Sequence, residues 1–375
     1  MAAVFAALLL AFAQNDKTQA NSYDDAWESA WVTHCRTIYS TSGKTAGFVL
    51  QVGDSITHAN PYSQWPRSGS GKTAEDTSIL TWCMSSSWNS GSNTDLTNKN
   101  GWYLAAADTS GQRGMTASGG LDTGEFLSGN GNGGNAMPAS PGSVVADGVN
   151  YVGNLNVAAV VAAFGDAQFA VLMLGTNDAN GAMSTSTYST NLASIVSALE
   201  GQNIVVVVST VPPSTQFDVT PYNAAIRSYA QTHGLPLIDY YAEILARQPV
   251  NWSTTLISSD GIHPSTVNSA ADPYTPGGDP TTWTTGDNCL NDGYLLRSWL
   301  TVQKLKEVKL YVADGVNPPS SGGGGGGGTP PPTSTGGSGN GSPDHSRCGC
   351  GAAPAPSPVW LWLAAGLALL ALRRR

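Results

Sequence analysis

The chain has 375 residues, 41% hydrophobic and only 11% charged, with a net charge of −9. A charged share that far below the usual ~25%, in so apolar a chain, excludes an acidic disordered protein, and five cysteines are too few for a disulfide-built scaffold. From Ser321 onward there are four arginines and one acid, so the remainder stands at −12; a body that acidic repels phosphate backbones and excludes nucleic acid as a partner.

In chain order, residues 4–13 (VFAALLLAFA) form an apolar run that closes on a small-x-small cleavage pattern, with TQA at 18–20 as a second cut. Residues 1–20 are expected to be a signal peptide, too short to span a bilayer. Trp27, Trp31, Cys35 and Ile38 recur at helical spacing and predict the buried face of a first helix. Residues 48–52 (FVLQV), 169–174 (FAVLML), 204–209 (IVVVVS) and 235–239 (LPLID) read as four strands, the first two ending at Gly53 and Gly175. Tyr188, Leu192, Ile195, Val196 and Leu199 predict a helix over 185–199. A second runs over 221–233, with Pro221 at its start and Gly234 after its end. A last helix, 291–312, is expected to pack Leu295, Leu300, Leu305 and Leu310 inward. Near-continuous Val/Ile/Leu strands alternating with helices predict an α/β domain, doubly wound around a parallel sheet, over 21–316.

Residues 317–347 are a linker rich in Gly, Pro and Ser, with seven consecutive glycines at 322–328. Then come Cys348-Gly349-Cys350, a 14-residue apolar stretch at 359–372 and Arg373-Arg374-Arg375. As a helix that stretch spans about 21 Å, short of the ~30 Å hydrocarbon core. The order over 348–375 resembles the C-terminal sorting signals of myxobacterial surface proteins. That resemblance implies export and a cell-surface or outer-membrane tether through the tail, with an ordinary transmembrane anchor as the alternative.

In doubly wound sheets the reactive groups gather where the strands end. Gly53-Asp54-Ser55-Ile56-Thr57 follows the first strand, and Gly175-Thr176-Asn177-Asp178 the second. Arg113-Gly114-Met115-Thr116-Ala117-Ser118-Gly119 lies between them, and Asp260-Gly261-Ile262-His263-Pro264 follows the last strand. Acyl transfer needs a hydroxyl nucleophile, an imidazole base, a carboxylate to orient the base and donors for an oxyanion. Ser55 follows a strand and a glycine turn, Asp260 and His263 share one loop, and Asn177 is an amide donor at a neighbouring strand end. No Gly stands five positions before Gly71-Lys72-Thr73 or Gly43-Lys44-Thr45, so neither is a phosphate-binding loop.

In order and spacing these blocks resemble the SGNH hydrolase superfamily, the GDSL-like esterases and lipases. The resemblance implies a three-layer α/β/α flavodoxin-like domain with a central parallel sheet of about five strands, and ester hydrolysis with no metal or cofactor. It implies Ser55 as nucleophile, His263 as base and Asp260 as its orienter, with Ser55 N–H, Gly114 N–H and the Asn177 amide as the oxyanion hole. Gly119 and Gly133 are alternative matches for Gly114. Asp54 and Asp178 read as structural, and His58 as a residue able to line the cleft.

Trp65, Trp82, Trp88, Trp102 and Tyr103, in the connection 58–112, and Tyr274 and Trp283, in 265–287, either wall the pocket or form small cores under long loops. Of Cys35, Cys83 and Cys289, the pair Cys83–Cys289 is the expected bridge in an oxidising compartment. The expected activity is a serine esterase that deacylates extracellular carbohydrate, acetyl esters among the candidates. The alternatives are a lipase or lysophospholipase acting on lipid esters and a non-catalytic glycan-binding module; a transferase would use the same triad.

Overall fold

The structure, a computed structural model, describes residues 20–84, 99–106, 114–129, 144–145, 148–149, 155–274 and 288–319. All of the expected signal peptide but Ala20, nearly all of the linker and the Cys-to-Arg tail lie outside these residues, as do Trp88, Gly133 and Trp283. Among the described residues no helix is long and apolar enough to cross a membrane.

Four parallel strands form the sheet, in chain order across it: β1 (Val49–Gly53), β2 (Phe169–Met173), β3 (Val205–Ser209) and β4 (Leu237–Ile238). Val49 stands beside Phe169, and Phe169 beside Val205. Every residue of β1, β2 and β3 is buried, as expected of strands covered on both faces. A fifth position exists beyond β1. There Ala117 forms a parallel bridge to Gly53, with Gly53 N–H donating to Thr116 O and Ser118 N–H to Gly53 O. The expected fifth strand is thus a single bridge at the edge.

The helices that matter here are α1 (Glu28–Ile38), α2 (Ser55–His58), α3 (Val157–Phe164), α4 (Thr176–Asn180), α5 (Thr185–Glu200), α6 (Thr220–His233), α7 (Tyr240–Arg247) and α8 (Gly293–Val308). On one side α5 packs on α3, α6 and β3; elsewhere α8 packs on the helices Asn60–Ser68 and Ala74–Cys83. α1 buries Trp31, Val32 and Cys35, with Trp27 and Ile38 packed at the edge. α6 ends at Gly234, whose φ of 63° forms the left-handed cap that the sequence placed there.

Two expectations are corrected, and one open choice is decided. Leu310 is 41% exposed, because α8 passes into a π-turn at Lys309–Ala313 that rotates it out of the packed face. Cys35, Cys83 and Cys289 are buried thiols, so no disulfide joins Cys83 to Cys289; burial pushes the Cys35 and Cys83 thiols up. Trp65, Trp102 and Tyr103 are fully buried in the core, and Trp82 lies against Phe169 at the opposite end of the strands from Ser55. These aromatics build the core under the long connection and do not wall a pocket.

Candidate active site

β1 delivers Ser55 through a turn that only glycine permits. A Cβ on Gly53 would fall 2.1 Å from Thr57 Oγ1 and 2.5 Å from Met173 O. Asp54 caps α2, accepting from Ile56 N–H at 2.9 Å, so Ser55 is the first helical residue and its N–H has no acceptor within the helix. Burial pushes the Asp54 carboxyl up, while Ile56 N–H and the Arg297 charge oppose the rise. Arg297, buried on α8, donates to Ile56 O at 2.7 Å and to Thr57 Oγ1 at 2.8 Å, and its guanidinium lies 3.8 Å from the Tyr62 ring. It fixes α2 from below. Nothing in the local sequence marks Arg297 for this task, since only the fold brings α8 beneath α2.

The loop 258–264 delivers the other two groups. Ser258 N–H donates to His263 O at 2.8 Å, and Ile257 bridges Pro264, which closes the loop on itself. Gly261 turns it with a φ of 73°. His263 Nε2 stands 2.9 Å from Ser55 Oγ, and His263 Nδ1 stands 2.6 Å from Asp260 Oδ2. Asp260 Oδ1 accepts from Ser258 Oγ at 2.6 Å and from the N–H groups of Ile262 and His263 at 2.9 and 3.0 Å. Partial burial raises the Asp260 carboxyl, but these hydrogen bonds together hold it well below the usual carboxylate range. An acceptor anion at Nδ1 selects the ring form with Nε2 ready to take a proton from Ser55. The His263 and Asp260 side chains are 38% and 48% exposed, so the site is shallow.

Asn177 lies in α4, where the β2 end turns over Gly175. Its Nδ2 donates to Leu121 O at 3.0 Å and stands 3.5 Å from Asp54 Oδ2, which orients the amide beside α2. Asp178 points the other way and accepts from Thr123 N–H at 3.1 Å and from the Thr123 hydroxyl. Burial pushes its carboxyl up to about 6.

Gly114 requires a correction. Its N–H donates to Ala117 O at 2.9 Å and is therefore spent. Gly119 is the better placed alternative. It follows Ala117 by two residues, and Ala117 bridges Gly53 at the end of β1. The Gly119 N–H donates to no described residue.

The segment 213–252 carries a cavity, tied to the histidine loop, that the sequence did not reveal. A cavity of about 510 Å³ is lined by Phe217, Tyr241 and Trp252 together with Gln216 and Asp218. The same segment is fastened to the histidine loop, with Ser214 Oγ and Thr215 N–H each donating to Gly261 O at 2.9 Å. These aromatics are scattered over 36 residues and three elements, so no local pattern announces them. Among the described residues no cluster of His, Cys, Asp and Glu could hold a metal ion.

Residues 127–267 match the model of the GDSL-like Lipase/Acylhydrolase family. That span holds Asn177, Asp260 and His263 and begins after Ser55 and Gly114. No curated protein matches the chain. Among solved structures, it is similar to a carbohydrate esterase family 3 from Talaromyces cellulolyticus, at 15% identity and a TM-score of 0.39, covering 72% of this chain and 99% of that one. It is also similar to a GDSL-like lipase from Bacteroides thetaiotaomicron, at 13% identity and a TM-score of 0.37, covering 75% and 98%.

Proposed function

We propose that this chain is a GDSL-like acylhydrolase of the SGNH type, a hydrolase of ester bonds, and that it works through an acyl-enzyme on Ser55. The observation that carries this reading is the continuous relay from Ser55 Oγ to His263 Nε2 at 2.9 Å and from His263 Nδ1 to Asp260 at 2.6 Å. Ser55 Oγ attacks the ester carbonyl carbon as its proton passes to His263 Nε2. Asp260 stabilises the imidazolium that forms. Negative charge grows on the carbonyl oxygen, where the N–H groups of Ser55 and Gly119 are the donors, joined by the Asn177 amide once it gives up its 3.5 Å contact with Asp54. The intermediate collapses, and the alcohol leaves with the proton from His263. Water then attacks the acyl-serine, gives its proton to His263, and Ser55 is restored as the acid departs.

The finer reading is an exported esterase, tethered at the cell surface, that deacylates extracellular carbohydrate. Its export rests on the apolar run at 4–13 and the tail at 348–375. Its substrate class rests on the cavity fastened to the histidine loop, whose lining joins three aromatic rings and several hydrogen-bonding side chains to the aliphatic Pro213, Val219 and Leu245. Such a lining suits a sugar ring, which offers both C–H faces and hydroxyls, better than a long alkyl chain.

The test is turnover of p-nitrophenyl acetate, butyrate and octanoate by wild type, Ser55→Ala and Asn177→Ala. Ser55→Ala is expected to abolish hydrolysis with the fold intact. Asn177→Ala is expected to lose roughly 10²–10³-fold in kcat, as one oxyanion donor usually does. Turnover surviving in Ser55→Ala would overturn the mechanism, and a preference for octanoate would move the substrate toward lipid.

A further inference from the structure

The cavity carried by segment 213–252 stands apart from the reacting groups: none of Ser55, Asn177, Asp260 and His263 lines it. Its joint with them is Gly261 O, on the loop that carries His263, which accepts from Ser214 Oγ and Thr215 N–H at 2.9 Å. Its volume of about 510 Å³ falls within the roughly 300–1,000 Å³ of ligand pockets. Of its lining, Pro213 and Val219 are buried, Phe217, Tyr241 and Trp252 are half-buried, and Thr215, Gln216, Asp218 and Thr220 are exposed. What a ligand meets is therefore aromatic and polar, with the aliphatic side chains mostly covered.

Four polar groups of this lining have no hydrogen-bond partner among the described residues: the Thr215 hydroxyl, the Gln216 amide, the Tyr241 hydroxyl and the Trp252 indole N–H. They set donors and acceptors around three aromatic rings. A ligand that answers both has C–H faces edged by hydroxyls, which describes a sugar ring. An alkyl chain would strip water from the four groups and pair with none of them. A phosphate or an acidic sugar is repelled by Asp218, whose carboxyl is held below its ordinary value, and so ionised, by the Thr220 hydroxyl and by the Thr220 N–H at 2.8 Å.

We propose that the cavity is a second, non-catalytic subsite that holds a neutral, unacylated sugar ring of the glycan chain whose ester reacts at Ser55, and so makes the enzyme prefer esters carried on an oligosaccharide or polysaccharide to the same esters on a single sugar. The proposal rests on the Ser55 esterase reading and separates two roles: the ring held here is not the ring that is deacylated. Trp252, Phe217 and Gln216 are binding residues in this role and touch no reacting atom.

The experiment compares full-length wild type, Trp252→Ala, Phe217→Ala and Gln216→Ala on acetylated xylan, acetylated glucomannan and the monoacetylated methyl glycosides of xylose and mannose. The quantity read is the ratio of kcat/KM, per acetyl group, on each polymer to that on its single-ring counterpart. Wild type is expected to favour at least one polymer about tenfold or more, since the second contact is made within one chain. Trp252→Ala and Phe217→Ala are each expected to lower that ratio about tenfold, as loss of an aromatic anchor does. Gln216→Ala, at an exposed position, is expected to lower it about fivefold, the worth of one hydrogen bond, and it serves the comparison should an aromatic variant not fold. Calorimetry with unacylated xylotriose and mannotriose is expected to show binding to wild type that Trp252→Ala loses. Saturating trisaccharide should leave KM for p-nitrophenyl acetate unchanged, because a ligand in the cavity leaves Ser55 uncovered. A ratio within twofold of wild type in all the folded variants would overturn the proposal. So would a trisaccharide that competes with p-nitrophenyl acetate, or a wild type that favours neither polymer. Absence of wild-type turnover even on p-nitrophenyl acetate would instead fail the esterase reading, and trisaccharide binding lost in Trp252→Ala would then leave the subsite standing without it.

Discussion

Asn177 and Asp178 are neighbours with opposite employments. Asn177 turns its amide toward Asp54 and Leu121 at the mouth of the site. Asp178 faces inward and holds the Thr123 N–H, tying the segment after Gly119 to α4. Its carboxyl, ordinarily near 3.8, is raised to about 6 by burial. The folded protein therefore keeps a proton there that the unfolded chain releases as pH rises from about 4 to 6. Stability from this group falls across that window, by on the order of 2–3 kcal/mol. Asp178→Asn still accepts from Thr123 and carries no charge, so its stability relative to wild type should grow between pH 4 and pH 7. Urea denaturation of both proteins at the two pH values checks this; a constant difference would show that Asp178 does not carry the shift.

At the scale of elements, the site is a meeting of three turns, and each turn is clamped by something distant in sequence. α2 is held through its carbonyls by Arg297 of α8. The Ala117 bridge is held by Gly53. The histidine loop is held by Ser214 and Thr215, which follow β3. Gly261 is the tightest of these joints: its φ is 73°, and a Cβ there would lie 2.0 Å from Thr215 Oγ1. Gly261→Ala is expected to push the loop away from the 213–217 segment and pull His263 out of reach of Ser55. Activity should fall by more than tenfold, since displacements near 1 Å cost about 10²-fold, while the core strands remain protected from hydrogen exchange. Wild-type turnover in Gly261→Ala would mean that this joint does not set the relay.

For the whole molecule, stability comes from one continuous apolar core around a sheet buried on both faces. No covalent cross-link among Cys35, Cys83 and Cys289 assists it. Reductant should therefore leave the melting temperature unchanged, and native protein should show these three thiols unreactive to a thiol reagent until it is denatured. A drop in melting temperature with dithiothreitol would mean that a bridge forms after all.

The sequence by itself determined the strands, the parallel sheet, the main helices and the loop that carries Asp260 and His263. These follow from local causes: β-branched runs, helical periodicity, a proline at one helix start and a glycine at its end, and a three-residue spacing that lets one loop present two groups. Only the tertiary structure decided where hydrogen bonds and solvent go. It spent the Gly114 N–H on Ala117, put Trp65, Trp102 and Tyr103 into the core, and kept Cys83 and Cys289 as thiols. Each of those outcomes depends on atoms brought together from distant parts of the chain, and residue type and spacing carry no record of which group will meet which.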